Sequence, residues 1–325
     1  MYRVARGPAM LRDMKALTYT TYGPLENLAW TNVASPRPAR GQLLVSVRCA
    51  ALNPKDALFR KGRFTLVGGR RFPKRTGLDF NGVVIESRSR AFSAGDRVYG
   101  ALDEWTFARG TLAEEVCVTD EEAAAIPDGV GDDAIAGLGL TGLTALQALR
   151  DIGRVRDGAR VFIHGASGGV GTAAIQIARI LGAEVTTTSS AANVGLCREL
   201  GAERALDYRE EYRAAIGSVD VVLDAFGNLK PASVAPMFRG RGVFISTVPS
   251  AVRIARDVLT RPLGVAERLV VVKPRRADLE TLATWLTEGR LRVVLDSRFP
   301  AVRVHDAFRV LESRRARGKI VVEVA

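Results

Sequence analysis

The segment Val161-Phe162-Ile163-His164-Gly165-Ala166-Ser167-Gly168-Gly169-Val170-Gly171 organises this chain. A short run of β-branched and aromatic residues breaks off into glycines at 165, 168, 169 and 171. The apolar residues Ala173, Ala174, Ile175, Ile177, Ala178, Ile180 and Leu181 then return at helical spacing, which predicts a helix from Thr172. Strand, glycine turn and helix together bring free N–H groups and a helix dipole to a pyrophosphate. The spacing G-x-x-G-x-x-G departs from G-x-G-x-x-G, with Ala166 where the first glycine would stand. A tight strand-to-helix turn without a ligand produces the same pattern, so the surroundings must decide.

Downstream, strands alternate with helices. Strands are expected at 184–188, 204–206, 219–224, 243–247 and 269–272, with a helix over 194–200. This alternation predicts a doubly wound parallel sheet of about six strands. Just upstream, 132–152 reads as helical, with Gly137, Gly139 and Gly142 dividing it into helix, loop and helix. Earlier still, short strands at 15–19, 43–50, 82–87, 97–99 and 113–118 are punctuated by Ser35-Pro36-Arg37-Pro38, Asn53-Pro54 and Gly95-Asp96. That texture is a compact β-rich domain. After residue 273 come a helix over 277–288, a strand at 293–295, a helix over 304–313 and a strand at 319–324. The expected organisation is therefore 14–137 as the first part of the β-rich domain, 138–273 as the nucleotide domain and 274–325 as the return to the first, with the ligand cleft between them. Residues 1–13 read as an extension ahead of a start near Met14.

Which dinucleotide binds is read from the second strand. An acid at its end normally holds the adenosine ribose hydroxyls, but here Glu184-Val185-Thr186-Thr187-Thr188 runs into Ser189-Ser190-Ala191-Ala192-Asn193. A carboxylate would repel a 2′-phosphate, and small hydroxyls leave room for one, so NADP(H) is favoured over NAD(H). Ser189 and Ser190 also suit a helix cap, a role compatible with phosphate binding. The nearest further candidates are Tyr208 and Arg209, after the third strand.

Composition narrows the alternatives. A chain of 325 residues that is 47% hydrophobic can bury a large core. No run of about 18 apolar residues occurs, so no helix spans a membrane and no membrane partner is expected. Cys49, Cys117 and Cys197 stand far apart, and only 2 histidines are present. A disulfide framework and a zinc knot are thereby implausible, and a reducing cytoplasm fits best. The net charge of +12 gathers in clusters at 60–63, 70–75, 273–276 and 314–319. With few aromatics among them, these read as solvated faces or as attraction for an anionic cofactor or substrate rather than a nucleic-acid platform.

The motifs taken together resemble the medium-chain dehydrogenase/reductase superfamily, in its zinc-free quinone-oxidoreductase branch. The matching stretches are Ala51-Leu52-Asn53-Pro54-Lys55-Asp56, Gly77-Leu78-Asp79-Phe80-Asn81-Gly82-Val83, Gly95-Asp96-Arg97-Val98 and Gly142-Leu143-Thr144-Ala145. They continue with the glycine turn, Leu206-Asp207-Tyr208, Val221-Val222-Leu223-Asp224 and Arg317-Gly318-Lys319-Ile320-Val321. The C-terminal part, with Phe299-Pro300 and Ala316-Arg317-Gly318-Lys319, looks most like the reticulon-4-interacting-protein type of member. The resemblance implies a GroES-like catalytic domain, a Rossmann domain and a homodimer. It also implies the loss of both zinc sites, with Asn53 at the cysteine position and Gly77-Leu78-Asp79 in place of Gly-His-Glu.

Site residues follow from the same resemblance. Ser167, Gly168, Gly169, Val170 and Gly171 match the pyrophosphate turn. Ser189, Ser190, Asn193 and Tyr208 match the surroundings of the 2′-phosphate. Asn53 and Thr144 match positions beside the nicotinamide, and Phe226, Gly227, Ser246, Thr247 and Val248 match loops reaching its ribose and amide. Asn53 before Pro54 also suits a plain Asx turn, and Thr144 a bond back to a helix carbonyl. Enoyl-thioester reductases of this branch carry a tyrosine where this chain has Phe64, which cannot donate a proton.

These features predict an NADPH-dependent, zinc-independent reductase passing hydride to a quinone or an activated double bond, since without a metal the substrate itself must be electron-poor. The alternatives are an enoyl-CoA or acryloyl-CoA reductase, and a cofactor-binding regulator or RNA-binding protein without turnover. Substrate choice is expected to lie in the loops 63–75, 103–109 and 250–265.

Overall fold

A computed structural model describes residues 12–248 and 266–324. Its backbone divides between two large sheets. One is parallel throughout, in the order Arg204–Asp207, Glu184–Ser189, Arg160–His164, Val219–Asp224, Phe238–Ser246 and Ala266–Leu269. The chain starts this sheet at its centre, winds outward through two strands, and crosses back to pair Val221 with Val161. The strand order therefore reverses at Arg160–His164, and in such sheets ligands bind beyond the strand ends at that point. Alternate residues of the central strand serve opposite faces. Val161 and Ile163 pack against the helices Leu138–Leu146 and Gly169–Ile180, while Phe162 joins Val222, Phe244, Ile216 and Leu229 on the other side.

The second sheet is mostly antiparallel and is built on Gln42–Leu52, whose residues are nearly all buried. That strand pairs with Asp79–Ser87 along one edge, with Glu115–Thr119 near its start and with Lys319–Glu323 near its end. The last of these pairings carries Leu295–Pro300 with it, so the C-terminal residues complete the β-rich layer. A three-stranded sheet of Ala29–Ala34, Asp13–Tyr19 and Lys74–Arg75 lies beside it. The shared core is formed by Leu17, Tyr19, Val45, Phe59, Phe80, Phe107, Phe308 and Ile320, among others.

Several boundaries differ from the sequence reading, each for a local reason. The helix expected from Thr172 begins at Gly169, with Gly168 in extended conformation as its N-cap. Of the glycines expected to break 132–152, only Gly137 does so, in a left-handed conformation at φ +82°. Gly139 and Gly142 lie inside the helix as close-contact residues: a β carbon would stand 2.3 Å from the Gly100 carbonyl oxygen at 139, and 2.8 Å from Leu282 Cδ1 at 142. The strand expected at 293–295 is found at Leu295–Pro300, and that at 269–272 at Ala266–Leu269. Strand pairing starts at Asp13, and Arg12 is paired with Glu115, so the fold takes in the last residues of the expected extension. The loop 250–265 lies outside the described residues.

Candidate cofactor and active site

Each glycine of the central turn faces something different. Gly165 has φ +75°, and a β carbon there would lie 2.7 Å from Phe226 Cβ. Gly171 backs onto the turn itself, 2.5 Å from the Gly165 carbonyl oxygen. Gly169 faces the protein, where a β carbon would meet Lys319 Cδ at 2.9 Å and Thr141 Cγ2 at 3.2 Å. Gly168 alone would take a β carbon without a clash, its nearest neighbour being the Gly165 carbonyl oxygen in ordinary contact at 3.6 Å. Gly168 caps the N-terminus of a 12-residue helix without a side-chain hydrogen bond, the kind of helix end whose free N–H groups can hold an anion. The half-buried Val170 follows it in the first turn.

The residues expected at the adenosine adjoin this turn. Asn193 Nδ2 donates to Ser167 Oγ at 3.1 Å, tying the glycine turn to the helix Ala191–Glu199 that follows the second strand. Ser190 is the N-cap of that helix and makes no side-chain cap, leaving its hydroxyl uncommitted there. Tyr208 is 47% exposed next to Ser189, to whose carbonyl its N–H donates. Ser189 is different: it is buried, and its hydroxyl donates to the Ser190 carbonyl at 3.1 Å. The nearby Asp207 accepts the Arg209 N–H at 3.0 Å.

Across the switch point, His164 is held on both ring nitrogens, by Thr188 Oγ1 at 2.7 Å and Asn228 Oδ1 at 2.8 Å. Asp224 accepts the Gly227 and Leu229 N–H groups, shaping the loop that carries Phe226. Gly227, at φ +88°, lets Val248 approach to within 2.5 Å of where a β carbon would be. Thr247 Oγ1 is within 3.3 Å of the Ala225 carbonyl, and the Ser246 hydroxyl meets the Val248 N–H at 3.3 Å. The two loops expected at the nicotinamide therefore pack as one wall. Arg314 closes it from the C-terminal side, stacked on the Phe226 ring at 4.2 Å and donating to its carbonyl at 3.0 Å.

Asn53 lies in a buried polar cluster whose anchor the sequence reading did not identify. Lys319, 4% exposed, donates through Nζ to Asn53 Oδ1 at 2.7 Å, Asp79 Oδ2 at 3.0 Å and the Leu52 carbonyl at 3.1 Å. Asn53 Nδ2 in turn donates to Asp79 Oδ2 at 2.8 Å and the Ala51 carbonyl at 3.1 Å, so both amide hydrogens are used. Asp79 also accepts the Leu140 N–H. Asp56 completes a capping box with Asn53 and accepts the Gly77 N–H. Burial pushes its carboxyl up to about 7 despite the donated N–H groups and the nearby Lys319.

Thr144 Oγ1 donates to the Leu140 carbonyl at 2.6 Å, while Thr141, one turn earlier on that helix, is the threonine that faces the glycine turn. The Gly318 N–H donates to the Ser167 carbonyl at 2.9 Å. Gly318 and Lys319 thus link the turn, Asn53 and Asp79. The only signal for this in the sequence was Arg317-Gly318-Lys319 as a resembling stretch, with no role attached.

On the β-rich side, Phe64 stacks on Phe59 with ring centres 4.9 Å apart, and Phe59 stacks on Phe107 at 4.4 Å. Lys55 lies over the Trp105 ring at 3.7 Å, and burial lowers its ammonium to about 8.

The chain is similar to known proteins over nearly its whole length. Residues 39–128 match the alcohol dehydrogenase GroES-like domain and 200–322 the zinc-binding dehydrogenase family. The chain is 31% identical to the chloroplast envelope quinone oxidoreductase homolog of Arabidopsis thaliana, covering 95% of this chain and 98% of that one. It is 30% identical to human NAD(P)H oxidoreductase RTN4IP1, mitochondrial, over 96% of this chain and 89% of that one. It is 32% identical to the NADPH-dependent alkenal/one oxidoreductase, chloroplastic, of Arabidopsis thaliana, over 96% and 80%. Among solved structures, the quinone oxidoreductase from Coxiella burnetii superposes with a TM-score of 0.88 at 29% identity, over 97% of this chain and all of that one.

Proposed function

The chain belongs to the medium-chain dehydrogenase/reductase superfamily, in its quinone-oxidoreductase branch, and from that premise we propose an NADPH-dependent reductase of quinones or activated carbon–carbon double bonds. The observation that carries this reading is the helix N-terminus at Gly168, uncapped by any side chain and free of clash at that glycine, beside a second turn lined by Ser190 and Asn193. When bound, the reduced nicotinamide supplies the hydride. The chain's own residues bind and orient. Backbone N–H groups at 168–171 take the pyrophosphate, Ser190, Asn193 and Tyr208 surround the 2′-phosphate, and the loops around Phe226 and Val248 hold the far end of the cofactor.

Zinc independence is supported by the donor set. A divalent ion at Asn53 would meet the Lys319 ammonium, which already answers the Asp79 carboxylate there. With no metal to polarise a carbonyl, an electron-poor quinone or enone is the fitting acceptor. Phe64, stacked on Phe59, carries no proton to give, so solvent supplies it.

Titration of the protein's fluorescence with NADPH and NADH, followed by oxidation with small quinones, enones and a crotonyl thioester, tests the proposal. Tighter NADPH binding with turnover on quinones or enones is expected. Preference for NADH, or tight binding without turnover on any acceptor, overturns it, and a strong preference for the thioester moves the substrate class. The homodimer and the cytoplasmic setting remain part of the proposal, the first checked by solution mass.

A further inference from the structure

The basic clusters of the chain are not alike in the folded protein. Arg60 and Lys61 are paired with Glu312, Arg275 with Asp151 and Asp278, Arg276 with Glu280, and Lys319 with Asp79. Lys74 is buried and donates to the Gly68 and Thr106 carbonyls at 2.6 and 2.8 Å. Arg63, Arg70 and Arg71 are exposed, and no ion pair among the described residues involves them.

These arginines bracket the short helix Thr65–Gly68, where Leu66 is 103% exposed and Val67 54% exposed. The exposure is built in. The Gly62 and Arg63 N–H groups donate to the Phe59 and Leu58 carbonyls, Tyr22 donates to the Gly69 carbonyl and Lys74 to that of Gly68, so the backbone on both sides of the aliphatic pair is fastened to the domain. Phe64, at the base of this tip, stacks on Phe59 of the helix that opens at Asn53.

We propose that the segment 61–71 is a docking surface for an anionic lipid bilayer, with Leu66 and Val67 entering the interface and Arg63, Arg70 and Arg71 facing lipid phosphates. Two aliphatic side chains surrounded by unpaired guanidinium groups match the two layers of such a surface, apolar beneath and negative above. An RNA partner would call for exposed aromatic rings, whereas Phe64 and Phe72 here are packed against Phe59 and Tyr22. The lack of a membrane-spanning helix does not bear on surface contact, so this revises the expectation of no membrane partner. The proposal is independent of the cofactor reading.

Flotation of the full chain with vesicles of phosphatidylcholine alone, or with 30% phosphatidylglycerol, provides the test. Co-flotation is expected with the anionic vesicles at low salt, severalfold less with the neutral ones, and severalfold less at 0.5 M salt. The variants Leu66→Ser/Val67→Ser and Arg63→Gln/Arg70→Gln/Arg71→Gln should each reduce it at least fivefold, with circular dichroism confirming their fold. The charge-matched control Arg40→Gln/Arg90→Gln/Arg156→Gln, at exposed positions elsewhere, should retain it. Equal loss in the control, or wild-type flotation by both tip variants, overturns the proposal. So does a change of solution mass on replacing Leu66 and Val67, which would assign the tip to a second copy of the chain.

Discussion

At the residue scale, the two adjacent glycines at the turn have different surroundings, and the proposed function gives binding to one and packing to the other. A β carbon would meet nothing closer than 3.6 Å at Gly168, whereas at Gly169 it would meet Lys319 Cδ at 2.9 Å and Thr141 Cγ2 at 3.2 Å. Gly168→Asp should therefore weaken NADPH binding at least tenfold, by setting a carboxylate against the proposed pyrophosphate, while leaving thermal stability nearly unchanged. Gly169→Asp should lower the melting temperature as well, because its β carbon enters the Lys319 stem. Equal effects on both readouts would refute the assignment of faces. Lys319→Met strands the Asp79 carboxylate, which is 1% exposed, and should destabilise the fold by about 3–5 kcal/mol in denaturant titration. Adding Asp79→Asn should recover part of that loss. Asp56 gives a pH signature. Its carboxyl is raised in the fold to about 7, so between about 4 and 7 the folded state holds a proton that the unfolded chain has released, and stability from this group falls as pH rises through that window. The stability advantage of the wild type over Asp56→Asn should accordingly shrink from pH 5 to pH 8, and a constant or growing advantage would remove Asp56 as the cause.

At the element scale, the contrast between buried and exposed strands explains what could be read beforehand. Val161–Ile163 and Val221–Leu223 are continuous apolar runs between glycine and acid punctuation, and their buried faces leave no other assignment. Ala29–Ala34 was missed because its residues are exposed or half-exposed, so its pairing with Asp13–Tyr19 leaves no apolar alternation to detect. The inner glycines of Leu138–Leu146 were read as breaks because composition does not say which surface a glycine touches. Gly139 touches the Gly100 backbone, which has no freedom to retreat, whereas Gly142 touches the flexible end of Leu282. Gly139→Ala should thus destabilise by about 1–3 kcal/mol, and more if the helix is displaced. At 142 the gain in helix propensity of about 1 kcal/mol offsets the contact, so Gly142→Ala should be close to neutral. A neutral Gly139→Ala would mean that the helix does not pack there.

At the scale of the whole molecule, the fold and its strand–glycine turn–helix unit were legible while the joint between the layers was not. Lys319 is one charge among 47 lysines and arginines, and nothing local in the chain says that this one is buried against Asn53 and Asp79. Its place is set by residues far apart in sequence meeting at the C-terminal strand. That strand pairs with Gln42–Leu52, its preceding glycine bonds to Ser167, and Arg314 clasps Phe226, so this short segment joins the β-rich layer to the parallel sheet, alongside the Leu140–Asp79 and Tyr99–Leu279 bonds. A ligand held by the parallel sheet should then stabilise both layers together. At a hundred times its dissociation constant, a cofactor adds about 2.7 kcal/mol to whatever unfolds with its site. Trp30 and Trp105 pack against the β-rich core, whereas Trp285 packs with the core of the parallel sheet. Thermal unfolding followed separately through each tryptophan, with the other two replaced by Phe, should give coincident midpoints that rise together on adding NADPH. If the midpoint at Trp285 rises alone, the C-terminal segment does not couple the layers. Arg314→Ala should narrow the shared shift without shifting the two midpoints apart, because Lys319 and Gly318 still hold the joint.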